Sequence, residues 1–160
     1  MRGGVGAIAV VFVALLVAAS PAGAGSKPPS MTVTASPHAA GAQGIRLTLT
    51  LRYEMQCNYP GAGPLVVTFP AALRLPQQFA AGAVELAGKQ VAAKVDGRHV
   101  TVAVAPHTGI LCDVMGPGSL TLVFTPAARL ANPARAGYYR FRATHRKRTF
   151  TARLAIKPAA

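Results

Sequence analysis

An all-β chain, folded as an antiparallel β-sandwich of about seven to eight strands, is the class this sequence predicts, and three observations predict it. Apolar and polar residues alternate with period two in several short runs. Gly- and Pro-rich turns separate those runs, and no stretch carries a helical apolar period. A small closed barrel meets the same alternation, which by itself does not separate the two architectures.

The strands follow in order. In IRLTLTLRY, Ile45, Leu47, Leu49, Leu51 and Tyr53 share one parity while Arg46, Thr48, Thr50 and Arg52 share the other, so one face is buried and one wet. PLVVTFP offers Leu65, Val67 and Phe69. Residues 71–82 leave room for a helical turn, but Pro76 argues against a long helix there. AVELAGKQV and AAKVDGRHVTVAV form strands joined by short turns, and Asp96-Gly97 is a hairpin signal because primed turns need positive φ. SLTLVF turns Leu120, Leu122 and Phe124 inward. The final hairpin, YYRFRATHRKRTFTARLAI, places Tyr139, Phe141, Phe150, Leu154 and Ile156 on its apolar side.

The N-terminus has a separate character. Arg2 precedes an apolar run from about Val5 to Ala19, and small residues stand at Ala22 and Ala24. This is the pattern of a secretory signal peptide over residues 1–24. An uncut membrane anchor is the competing reading, but the run falls short of the ~20 apolar residues a bilayer span requires. The expected organisation is a flexible lead at 25–30, GSKPPS, and one β-sandwich domain over 31–158. The product is expected to be secreted or held at the cell surface.

Export sets the redox context for Cys57 and Cys112, the chain's two cysteines. Two cysteines in an oxidising compartment are expected to form one disulfide. They also head similar segments: a shift of 55 positions superposes Cys57 on Cys112, Gly63 on Gly118, Leu65 on Leu120 and Phe69 on Phe124. Each cysteine therefore stands in a turn before an equivalent strand. If the two strands run the same way in facing sheets, the turns lie at one end and a bridge is within reach.

Charge is the other marked feature. The net charge is +13, and the four acids are Glu54, Glu85, Asp96 and Asp113. None follows Asp113, while residues 114–160 hold nine cations. Parity sets Tyr138, Arg140 and Arg142 outward on one strand of the last hairpin and Arg153 and Lys157 outward on its partner, with Arg146, Lys147 and Arg148 at the turn. A face of one sign attracts polyanions, and the expected partner is an anionic cell-wall polymer or membrane surface rather than a specific nucleic acid. The competing reading is a solvated face whose charge keeps an edge strand from pairing with neighbours.

VTFPAALRLP, VELAGKQVAAKVDGRHVTVAV and GSLTLVFTPAARLANPARAGYYRFRATHR, in that order, resemble a module of secreted bacterial surface proteins. Its pattern closes an alternating run on Phe-Pro and ends on "N-P-x-x-A-G-x-Y", here Asn132 to Tyr139. The resemblance implies an immunoglobulin-like sandwich of the kind repeated in S-layer-type proteins. It carries no catalytic group.

Catalysis is not expected, because the acids are scattered and no G-x-S-x-G, phosphate-cradling loop or H-E-x-x-H occurs. No cofactor is implied. A metal site is the alternative: Met55 and Met115 flank the cysteines, and His107 lies five residues before Cys112. Soft sulfur ligands of that kind suit copper. His38, His99 and His145 are expected in loops or on strand surfaces, without partners. The functional expectation is thus a non-catalytic structural or binding module, with copper or other metal handling as the alternative.

Overall fold

A computed structural model describes residues 29–53, 62–105 and 118–159. Ten strands occur among them: β1 (Ser30–Ser36), β2 (Arg46–Arg52), β3 (Gly63–Thr68), β4 (Val84–Leu86), β5 (Lys89–Gln90), β6 (Ala93–Asp96), β7 (His99–Val104), β8 (Ser119–Phe124), β9 (Gly137–His145) and β10 (Arg148–Ile156). They form two five-stranded sheets, ordered β1-β2-β8-β4-β5 and β10-β9-β3-β7-β6, with every neighbouring pair antiparallel. The count exceeds seven to eight because β1 adds an edge strand and the stretch from Val84 to Asp96 divides into three short pieces.

The alternating residues pack as their parity requires. Leu47, Leu49 and Leu51 of the first sheet and Leu65, Val67, Val100, Val102 and Phe141 of the second are all 0% exposed and share one core. Phe69 stands between the layers, its ring centroid 5.3 Å from both Phe124 and Phe141. Residues 71–82 form turns, and a short 3-10 helix at Pro126–Ala128 is the one helical element among the described residues.

The hairpin turns are tight. Asp96 pairs with His99, so the reversal is made by Gly97 and Arg98, with Gly97 at φ +56°. The turn is thus centred one residue later than Asp96-Gly97, and glycine takes its first position, where an L side chain is strained. His145 pairs with Arg148 in the same way, and Arg146 and Lys147 make the turn between β9 and β10.

Several strand ends meet at one pole of the sandwich. Arg52, at the end of β2, pairs with Ser119, at the start of β8, and Tyr53 N–H donates to the Gly118 carbonyl at 2.8 Å. In the facing sheet Gly63, at the start of β3, pairs with Val104, at the end of β7. The sheets are joined here by a 3.0 Å hydrogen bond between Tyr53 Oη and His145 Nδ1. Both connections that contain a cysteine, β2 to β3 and β7 to β8, therefore begin and finish at this pole. Cys57 and Cys112 themselves lie outside the described residues.

The lateral seam between the sheets is also stitched. Ala39 forms a parallel bridge with Lys157. Lys157 N–H donates to the His38 carbonyl at 2.9 Å, and Ala40 N–H donates to the Lys157 carbonyl at 2.8 Å. Thus β1 and β10 run in the same direction along the seam, one in each layer.

Candidate functional site

The final hairpin follows from residue pairing in β9 and β10. Along β9, Tyr138, Arg140 and Arg142 are exposed, whereas Phe141, Ala143 and His145 are buried. Along β10, Arg153 is exposed between the part-buried Ala152 and the buried Leu154. Register sets Arg153 directly opposite Arg140, Thr151 opposite Arg142 and Ala155 opposite Tyr138. Facing like charges on a wet sheet surface repel, at a cost on the order of 0.2–1 kcal/mol. An anion laid between two guanidiniums reverses that sign. Arg140, Thr151, Ala152 and Arg153 line a surface groove of about 420 Å³ at this point.

Tyr138 is 78% exposed and is the one large hydrophobic so placed among the described residues. Its cross-strand neighbour Ala155 is too short to cover the ring. An aromatic platform thus lies in line with Arg140 and Arg142.

The sequence-predicted cations do not all gather. Tyr138, Arg140, Arg142 and Arg153 share one sheet face, and Lys157 is exposed just beyond the end of β10. Arg146 and Lys147 occupy the turn at the far end of the hairpin. Arg148 has the inward parity of Phe150, and its charge acts on Tyr53. The two acids among the described residues are remote or occupied: Glu85 lies 3.7 Å from Arg46 in the other sheet, and Asp96 sits on the opposite edge strand.

Two histidines depart from the sequence expectation. His99 Nδ1 pairs with Thr68 Oγ1 at 3.1 Å. His145 is 1% exposed and held by Tyr53, with its ring packed edge-on at 5.7 Å. The odd parity of Tyr139, Phe141 and Ala143 carries His145 inward. Only the polarity of histidine argued for the surface.

Burial lowers the His145 pKa below its ordinary value, and the neighbouring Arg146 charge lowers it further. Burial also pushes Tyr53 up to about 12, against a smaller opposing effect of Arg148. The unfolded chain thus binds a proton at His145 more readily than the folded one does. Stability from this residue is complete above the unfolded pKa of ~6.5 and declines as pH falls below it, by at most about 1.4 kcal/mol per pH unit. Thermal melts between pH 7.5 and pH 5 are expected to show that decline, and His145→Gln should flatten it. An equal slope in the variant would assign the effect elsewhere.

The alternative metal residues Met55, His107 and Met115 lie outside the described residues, as do both cysteines. Among the described residues no three His, Cys, Asp or Glu side chains converge.

No family model matches the chain, and no curated protein matches it. Solved structures do. A structure described as BslA, a bacterial hydrophobin, is 20% identical, with TM-score 0.51, covering 81% of this chain and 100% of that one. BcpA, the major pilin subunit of Bacillus cereus, is 11% identical with TM-score 0.43, over 81% of this chain and 41% of that one. A GH20 exo-β-N-acetylglucosaminidase from Vibrio harveyi is 12% identical with TM-score 0.34, over 82% of this chain and 18% of that one. The likeness to the first extends over all of that chain and is a likeness of fold.

Proposed function

We propose that this chain is an exported, non-catalytic β-sandwich module with a structural or binding role at the bacterial cell surface. Residues 1–24 act as a cleaved signal peptide, Cys57 and Cys112 form a disulfide, and the β9–β10 hairpin binds anionic wall polymers weakly. One observation carries the binding role: Arg140, Arg142 and Arg153 share an outer sheet face with Tyr138, and the register sets two of the arginines against each other. Such a face gains from a polyanion and gains little from folding. The fold shared with a bacterial hydrophobin is in keeping with a surface location.

The test is retention of the mature protein on heparin and on purified anionic wall polymer. Each cation near an anionic surface contributes ~1 kcal/mol, so Arg140→Ala/Arg142→Ala is expected to weaken association about thirtyfold at low salt. Retention should also fall with salt. Early elution of the parent protein, unchanged in the double variant, would reduce the hairpin to a solubilising surface.

A further inference from the structure

Ala131 is bridged on one side to Gln43 and on the other to Arg74, both antiparallel. Directly opposed residues of antiparallel strands project from the same face. Gln43, Ala131 and Arg74 therefore form one row with a methyl group at its centre, and the missing side-chain bulk leaves a depression floored by Ala131. The depression opens into a cleft of about 410 Å³, walled by Ala72, Asn132, Pro133, Arg135 and Tyr139. That volume lies within the range of small-ligand sites.

The cleft is framed by hydrogen bonds to backbone carbonyls, donated by both side chains and backbone N–H groups. Asn132 Nδ2 donates to the Pro37 and Ala39 carbonyls, each at 2.9 Å, and its backbone N–H donates to the Ala42 carbonyl at 2.9 Å. Gly41 N–H donates to the Pro133 carbonyl at 2.9 Å. Tyr139 Oη donates to the Arg135 carbonyl at 2.7 Å, fixing the segment that carries Arg135. Three chain segments distant in sequence are thus held in one register around the floor.

The lining has a definite chemical preference. Among the described residues its charged groups are two guanidiniums, Arg74 and Arg135, and no carboxylate lines it. Gln43 spends its Nε2 on the Gly41 carbonyl at 3.2 Å, which leaves Oε1 as an acceptor for a hydroxyl. Ala72, Ala131 and Pro133 offer apolar surface to C–H groups. An anionic group, a hydroxyl and an aliphatic ring face occur together in a sugar acid.

We propose that this cleft binds a hydroxylated carboxylate, the hexuronate unit of an acidic polysaccharide. The proposal deepens the polyanion reading above by naming the polymer class, but it uses residues separate from the hairpin arginines. Two charge-assisted hydrogen bonds from guanidinium to carboxylate hold the acid, and Gln43 selects a ligand that carries a hydroxyl.

The experiment titrates digalacturonate into the mature protein at low salt and follows backbone amide resonances. Shifts are expected at Gln43, Ala131 and Arg135. The dimethyl ester, which keeps the ring and loses the charge, should not bind. Arg74→Ala/Arg135→Ala alters two exposed side chains and should weaken binding about tenfold or more. Arg140→Ala/Arg153→Ala should leave the disaccharide affinity within about twofold, since both residues lie outside the cleft. Equal binding of the ester, or unchanged affinity in Arg74→Ala/Arg135→Ala, overturns the proposal. Inorganic phosphate binding as tightly as digalacturonate overturns the sugar-acid assignment. Heparin retention that ignores Arg140→Ala/Arg142→Ala removes the hairpin reading alone, while the disaccharide titration still supports the cleft.

Discussion

Cys57→Ser/Cys112→Ser is expected to lower the unfolding free energy by about 4 kcal/mol, the loop-closure entropy of a crosslink enclosing roughly 54 residues. Both cysteine-bearing connections leave and re-enter the sandwich at the pole where Tyr53 joins His145. A native domain of this size holds ~5–15 kcal/mol in total, so the loss removes a large share. Urea unfolding of the parent, the dithiothreitol-reduced parent and the double variant should give one high midpoint and two low ones. Intact mass after alkylation without reductant should show neither cysteine modified. Two modified thiols in the unreduced protein, or equal midpoints in all three samples, would remove the disulfide.

Phe69→Ala is expected to cost a comparable amount, about 3–5 kcal/mol. Phe69 follows β3 of one sheet, Phe124 closes β8 of the other, and their rings meet edge-on at 5.3 Å and 80°. Phe141 completes the set at 5.3 Å from Phe69. Truncation removes both ring contacts together and leaves a void between layers that the flanking strands cannot close. Tyr138→Ala, exposed on the outer face, is the control and should stay within about 0.5 kcal/mol. Denaturant midpoints for the two variants check the contrast. Equal effects would mean that Phe69 does not join the layers.

Much of the architecture was legible because parity is a local property. Ile45 to Tyr53 alternate without a break, and every odd position among them is buried. The likeness of the two segments 55 residues apart was also physical: Phe69 and Phe124, superposed by that shift, are packed against each other. β1 carries the same signal in Met31 and Val33, but Ser and Thr at its other positions and the small Ala35 make it weaker. The short pieces from Val84 to Gln90 could be read as strands from AVELAGKQV, but two or three residues hardly establish a period, and the division at Ala87 and Gly88 came from the structure.

The hairpin arginines could be placed outward from sequence, since their neighbours Phe141 and Leu154 define the buried side. Their direct opposition, Arg140 against Arg153, depends on the turn length, and the register supplied it. The cleft lay beyond sequence reasoning. Gln43, Arg74 and Ala131 meet only through isolated bridges between distant segments, and nothing near any of them marks the encounter.

The parallel course of β1 and β10 has a mechanical meaning. Ser30 and Lys157 fall at opposite poles of the sandwich, so tension applied through the two chain ends pulls each outer strand lengthwise past its antiparallel neighbour. The rungs of each ladder then share the strain and must yield together rather than peel one by one. A string of such units, joined end to end, would resist stretching along its own axis.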